Sequence, residues 1–157
     1  MKQATYLRQL DAVLQGEVFG ESAYATAARY SRDGKDILQW QALSQLEVQT
    51  KERVAEAIRR NGGVPRQRSF FRILGVSIGW LASLLPWRLT MNGLWLITRC
   101  TIPFFERLEY KGAAGDIDFL RALTAHEQAQ QEFAVRKLAG QHTTSLEPIL
   151  FLLDVTG

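Results

Sequence analysis

Two stretches of the sequence, WQALSQLEVQTKERV (residues 40–54) and LRALTAHEQAQQEFA (residues 120–134), decide the fold. In both, apolar side chains recur three or four positions apart, which is the pattern of one buried face of an α-helix. Each stretch also places a carboxylate in that face, at Glu47 and at Glu127. A buried carboxylate is costly unless it is hydrogen-bonded, protonated or bound to a cation. The two acids therefore indicate a polar or metal site inside a helical protein.

The remainder of the chain predicts two helical hairpins around these stretches. The first covers residues 4–63, and the stripe on its first helix includes Glu17 and Glu21. The second covers residues 88–140 and repeats the order of side chains of the first, which we interpret as a weak internal duplication. Four helices, three of which carry acids on their inner faces, predict an all-α, four-helix bundle in one domain of residues 1–157.

Two segments lie outside the hairpins. Residues 66–87 form an apolar connection, and its continuous apolar run, residues 73–86, is well short of the ~20 residues needed to cross a bilayer. Tryptophans and arginines around apolar residues fit an additional helix that faces the membrane and lies in the headgroup zone, while a bundle core or a dimer interface is the alternative. Residues 141–157 are expected to form a tail or a docking helix. The side chains expected to contact lipid are Trp80, Leu84, Leu85, Trp87, Trp95, Arg68 and Arg72.

Composition and charge restrict the location and the partners. The 157 residues are 46% hydrophobic and 22% charged, which suits a globular protein with a real core. A net charge of +3, with arginines clustered ahead of the apolar connection, suits an anionic surface. The single Cys100 and the absence of an apolar stretch in the first residues favour the reducing cytoplasm. We therefore expect a cytoplasmic protein that associates peripherally with the inner face of the membrane.

A bundle with inward glutamates is the layout of carboxylate-bridged di-iron proteins. Four passages strengthen this comparison: Gly16-Glu17 followed by Gly20 and Tyr24, residues 42–64, residues 79–91, and Ala125-His126-Glu127. In these passages the chain resembles the ferritin-like superfamily, and within it is most similar to the demethoxyubiquinone hydroxylase family of ubiquinone biosynthesis. The resemblance implies a ferritin-like bundle that acts on or binds a lipid quinone at the membrane surface.

The resemblance also implies a set of metal ligands, which this chain carries in a degenerate form. The iron ligands it implies are Glu17, Glu47 and Glu127, with Glu21 as a further candidate. Thr50 and Gln130 stand where the resemblance requires histidines, so that they would line the site together with Tyr24 and Thr98. His126 is interpreted as a histidine at the rim of the bundle, with metal ligation as the alternative. An active protein would be a di-iron monooxygenase, and no catalytic residue is assigned.

Two other function classes remain open. Without metal, the protein would bind lipid or quinone at the membrane, or serve as a scaffold for a partner in ubiquinone biosynthesis or for a second copy of itself. An RNA-binding helical protein is the last alternative, based on the arginine cluster. The chain contains no recognisable nucleic-acid motif, so we do not expect a nucleic acid as its partner.

Overall fold

The computed structural model describes residues 2–156, with side chains to residue 154, and all regular structure in that range is helical. The all-α class is thus confirmed. The chain divides into two compact units, one ending at Leu84 and one beginning at Leu85. The helices are α1 (Gln3–Tyr30), α2 (Gly34–Arg60), α3 (Ser69–Leu84), α4 (Trp87–Lys111), α5 (Ile117–Leu138) and α6 (Glu147–Thr156), with a 3₁₀ turn at Ala114–Asp116.

The first unit is built on a hairpin of α1 and α2. The two helices pack along each other and are joined by three residues, 31–33, so they run antiparallel. Asp33 caps α2, because its carboxylate accepts a hydrogen bond of 2.8 Å from the backbone N–H of Lys35. The apolar stripes predicted for both helices are buried. Their fully or nearly fully buried side chains are Leu10, Leu14, Val18, Leu43, Val54 and Ala57.

The third helix packs on α1 through two glycines. A Cβ atom at Gly75 would collide with the carbonyl oxygen of Phe19, and one at Gly79 would collide with that of Ala23. The backbones of α1 and α3 therefore approach each other more closely than any larger residue would allow. Gly75 and Gly79 are also the buried residues of α3. The helix predicted within residues 66–87 is thus present, and it contacts its own unit along a narrow glycine edge.

A buried amide fixes the segment that leads into α3. The side-chain nitrogen of Gln15 donates a hydrogen bond of 2.8 Å to the carbonyl of Arg66, and its oxygen accepts one of 2.9 Å from the backbone N–H of Arg68. Gln15 is buried on α1, so these bonds form away from water. The Arg68 guanidinium adds a contact of 2.7 Å to the Asp11 carboxylate. The start of α3 is therefore held on α1 by specific polar contacts.

The second unit contains the other predicted hairpin, with α4 and α5 joined through the 3₁₀ turn. The C-terminal helix α6 packs on α5, where Ile149 is fully buried. Arg136 of α5 donates to the Glu132 and Glu147 carboxylates at 2.8 and 3.0 Å. These carboxylates, Glu132 foremost, raise the pKa of Arg136 above its ordinary value. A helix thus lies in the tail predicted for residues 141–157, of which residue 157 is outside the described range.

No helix in the described range combines the length and the apolar character needed to cross a membrane.

The glycine edge of α3 yields a stability prediction. We expect Gly79→Ala to lower the free energy of unfolding by about 1–3 kcal/mol, because the added methyl group pushes α3 away from the α1 backbone. Gly16→Ala is the matched control, since a Cβ at this exposed position of α1 meets no atom within 4 Å. That change should stabilise the helix by about 0.5–1 kcal/mol. Equal effects of the two substitutions in urea unfolding would contradict the close α1–α3 contact.

Candidate metal centre

The first unit brings together two buried carboxylates. Glu17 lies on α1 and is 3% exposed, and Glu47 lies on α2 and is 4% exposed, as the helical pattern predicts. One carboxylate oxygen of each lies within 4.8 Å of one from the other. Two ionised carboxylates at this separation repel each other, and a proton or a cation between them removes the repulsion. The pair is therefore the chemical centre of the first unit.

Gly20 allows Glu47 to reach α1. A Cβ at position 20 would lie 2.5 Å from Oε2 of Glu47, so the carboxylate rests against the α1 backbone where a side chain would otherwise stand. Gly20 comes three residues after Glu17, which places both on neighbouring turns of one helix face. The Glu47 side chain thus crosses from α2 to the part of α1 that carries Glu17. The missing methyl group of Gly20 is a condition for the carboxylate pair.

The other residues predicted for the site in the first unit are Glu21, Thr50 and Tyr24. Glu21 forms a half-buried ion pair with the ammonium group of Lys51 on α2. Thr50 is buried on the same helix as Glu47, one turn further along. Tyr24 stacks on Trp40 with ring centroids 5.7 Å apart. Lys51 therefore balances the charge of Glu21, which leaves Glu17 and Glu47 as the candidate ligands of this unit.

In the second unit, α5 supplies a buried histidine. His126 is 3% exposed, so the prediction of a rim histidine is wrong. The buried face of α5 leaves Glu127 at its edge and runs through His126 at helical steps of three or four residues, Leu123-His126-Gln130-Phe133. The Gln130 amide lies one turn away, is also buried, and is hydrogen-bonded to Nε2 of His126. A partner of this kind fixes the orientation of an imidazole ring.

Glu127, the acid predicted on α5, has a different environment. It is half-buried, and its carboxylate accepts a hydrogen bond of 2.6 Å from Oγ1 of Thr101 on α4. Thr98, predicted to line the site, is buried, and its hydroxyl donates back to the carbonyls of Leu94 and Trp95 at 3.0 and 3.1 Å. The hydroxyl of Thr98 is thus used within its own helix, and Glu127 belongs to a polar contact between α4 and α5.

Within the first unit, the carboxylates of Glu17 and Glu47 are placed where they could hold a metal ion. Carboxylate oxygens suit a divalent cation such as manganese or iron. A di-iron centre of the bundle type uses four glutamates and two histidines. The two carboxylates of the first unit supply a third of that number.

The residues predicted to contact lipid differ in their exposure and in their contacts. Trp80, Leu84 and Leu85 are exposed, with half or nearly half of each side chain accessible. Trp87 and Trp95 are half-buried; Trp87 meets the ring of His142 edge-on, and Trp95 lies under the guanidinium of Arg99 at 5.1 Å. Arg68 and Arg72 are exposed and bond to Asp11 and Gln67.

Two positions that matter in the structure were not singled out from the sequence for these roles. In the sequence, Gly20 is indicated only by the family resemblance, and Gln15 is not indicated at all. A glycine three residues after a buried acid is a signal that another group approaches the helix closely. A glutamine inside an apolar stripe is a signal that its amide has a partner.

Comparison of the chain with protein-family models, with curated proteins and with solved structures gives no match.

We expect Gly20→Ala to displace the Glu47 carboxylate without unfolding the protein. The added Cβ meets the end of a flexible side chain, which can rotate away, so the midpoint of thermal unfolding should change by only a few degrees. The carboxyl carbon resonance of Glu47, followed by NMR, should shift. Gly16→Ala, one turn earlier on the same helix, should leave that resonance in place. An unchanged Glu47 resonance in Gly20→Ala would show that the carboxylate does not rest on α1.

Proposed function

We propose that the protein binds one transition-metal ion through Glu17 and Glu47 of the first unit and acts on, or binds, a lipid quinone at a membrane surface. In this proposal it is a ferritin-like protein similar to the demethoxyubiquinone hydroxylases, with a reduced ligand set. The observation that carries the proposal is the pair of buried carboxylates within 4.8 Å of each other in the first unit. Iron is the metal that the resemblance favours.

The donor chemistry supports an ion rather than a purely structural pair. Carboxylate oxygens neutralise the charge of an iron or manganese ion, and a cation between Glu17 and Glu47 removes the repulsion between them. Lys51 remains paired with Glu21, so its positive charge is directed to a different acid. Bound iron would supply the redox chemistry that activates dioxygen for ring hydroxylation.

The protein side chains have separate tasks in this scheme. Glu17 and Glu47 hold the ion, and Gly20 admits the second of them. The buried positions of both proposed ligands exclude bulk water, which strengthens electrostatic interactions within the site. Thr50 in the first unit adds a hydroxyl one turn from Glu47. No described residue is assigned as an acid or a base in the reaction.

The exposed face of α3 supports the membrane part of the proposal. Eight large apolar side chains of this helix are exposed: Phe70, Ile73, Leu74, Val76, Ile78, Trp80, Leu81 and Leu84. Contiguous apolar surface of this kind marks an interaction site. Arg72 lies on the same helix, and Arg66 and Arg68 come just before it, which complements an anionic lipid surface. We therefore propose that α3 lies in the headgroup zone on the cytoplasmic side.

This face also supports a second candidate function, a metal-free protein that binds lipid or quinone. Such a protein would use α3 in the same way and keep Glu17 and Glu47 as a structural polar pair. A second copy of the chain or a partner protein of ubiquinone biosynthesis would also cover α3. The metal and the membrane experiments below separate these possibilities, since each tests one half of the proposal.

Metal titration tests the ligand set. We expect the purified protein to bind about one Co²⁺ or Fe²⁺ per chain. Glu17→Gln and Glu47→Gln should each weaken binding by at least tenfold, because removal of an outer partner alone already costs that much. Glu52→Gln, an exposed acid on α2, is the control. Equal affinity in all four proteins would leave the metal-free function.

Vesicle sedimentation tests the role of α3. We expect Trp80→Glu and Ile73→Glu to reduce partitioning onto vesicles containing anionic phospholipid by about tenfold or more, since each removes a side chain worth about 1.5–3 kcal/mol when buried. Leu38→Glu is the matched control, because Leu38 is equally exposed but lies on α2. If the α3 variants bind vesicles as the wild type does and instead lose a dimer in sedimentation equilibrium, the face contacts a second copy.

A further inference from the structure

The first unit contains a cavity that the proposed metal site does not use. It has a volume of about 530 Å³ and lies between the beginning of α1, the end of α2 and the segment that leads into α3. We name it the arginine pocket after Arg8, Arg66 and Arg68, which line it together with Asp11 and an apolar floor that includes Leu7 and Ile58. Three guanidinium groups against one carboxylate give it a positive charge.

The three arginines are bound to different extents. The Arg68 guanidinium is paired with Asp11 at 2.7 Å, which accounts for the single acid of the pocket. Arg8 has only a long hydrogen bond of 3.4 Å to Oγ1 of Thr5. The guanidinium of Arg66 has no partner among the described side chains, and only its backbone carbonyl is bonded. Positive charge thus remains in the pocket that no carboxylate of the described residues neutralises.

The frame of the pocket is fixed by the protein itself. The buried Gln15 amide holds the backbone of residues 66 and 68, as described above. Gly62 has a φ of 79°, a left-handed conformation that favours glycine, and a Cβ at Gly63 would lie 2.8 Å from the Ile58 side chain. These contacts restrict the backbone conformation of residues 61–68, which connect α2 to α3. A site held in place in this way loses little entropy when a ligand binds.

We propose that the arginine pocket binds the phosphate group of an anionic phospholipid. A guanidinium donates two parallel hydrogen bonds to phosphate oxygens, and Arg8 and Arg66 offer two such groups above an apolar floor. Residues 66–68, which line the pocket, lead directly into α3, and Phe70 in the first turn of α3 is 67% exposed. A headgroup in the pocket would leave its acyl chains beside the apolar face of α3. The lipid source of the phosphate rests on the membrane role proposed above.

A soluble lipid analogue tests the pocket without a membrane. Dihexanoyl phosphatidic acid below its micelle concentration should bind the wild type in calorimetry, and Arg66→Gln should weaken that binding by about tenfold. Arg59→Gln removes the same charge from an exposed position of α2 outside the pocket and should weaken it by less than twofold. Equal losses in the two variants would overturn the pocket, because they would show diffuse attraction to a basic surface.

Two further ligands identify the source of the phosphate. Dihexanoyl phosphatidylcholine should bind at least tenfold more weakly than the phosphatidic acid, and inorganic phosphate should do the same. If inorganic phosphate binds as tightly as the lipid analogue, the pocket is a free-anion site and the lipid assignment fails. These measurements contain neither vesicles nor metal. Their failure is therefore distinct from an unchanged vesicle partitioning of Trp80→Glu, which would contradict the membrane role itself.

Discussion

The structure of the first unit depends on how closely other groups approach the backbone of α1. At Gly20 the approaching group is the Glu47 carboxylate from α2, and at Phe19 and Ala23 it is the backbone of α3 at its two glycines. Neither approach is compatible with an ordinary side chain at the glycine. The α1 backbone thus receives the Glu47 carboxylate on one side, near its own Glu17, and receives α3 on another side. The candidate site and the candidate membrane surface share this single support.

Hydrophobic periodicity predicted what depends on one helix face. It located the helical hairpins and placed Glu17 and Glu47 among buried residues, because both acids fall in a narrow apolar stripe. It failed on α5, where the predicted stripe was placed through Glu127. The buried face of this helix runs through Leu123, His126, Gln130 and Phe133, which are also three or four residues apart, and the period of the pattern does not tell two neighbouring stripes apart.

Composition predicted an apolar helix between the hairpins but could not tell what covers it. Core, dimer interface and membrane all require the same residue types. In the structure the large side chains of α3 are not part of the core of the first unit, because α3 packs on α1 through its glycine edge and leaves them exposed. The relevant signal was the spacing Gly75-x-x-x-Gly79, which puts two positions without side chains on one face. Small residues at this spacing mark the side by which a helix packs.

The turns of α1 that contact Glu47 and α3 also link the metal site and the membrane surface of the proposed function. The α1 positions that meet α3 lie between two and six residues beyond Glu17, which is within about 10 Å along the helix at 1.5 Å per residue. A displacement of α3 therefore acts on the same turns of α1 that carry Glu17 and receive Glu47. If α3 rests on a membrane, lipid contact and the separation of the two carboxylates are mechanically coupled through these turns. A soluble bundle with a metal site alone would have no need of an exposed apolar helix at this position.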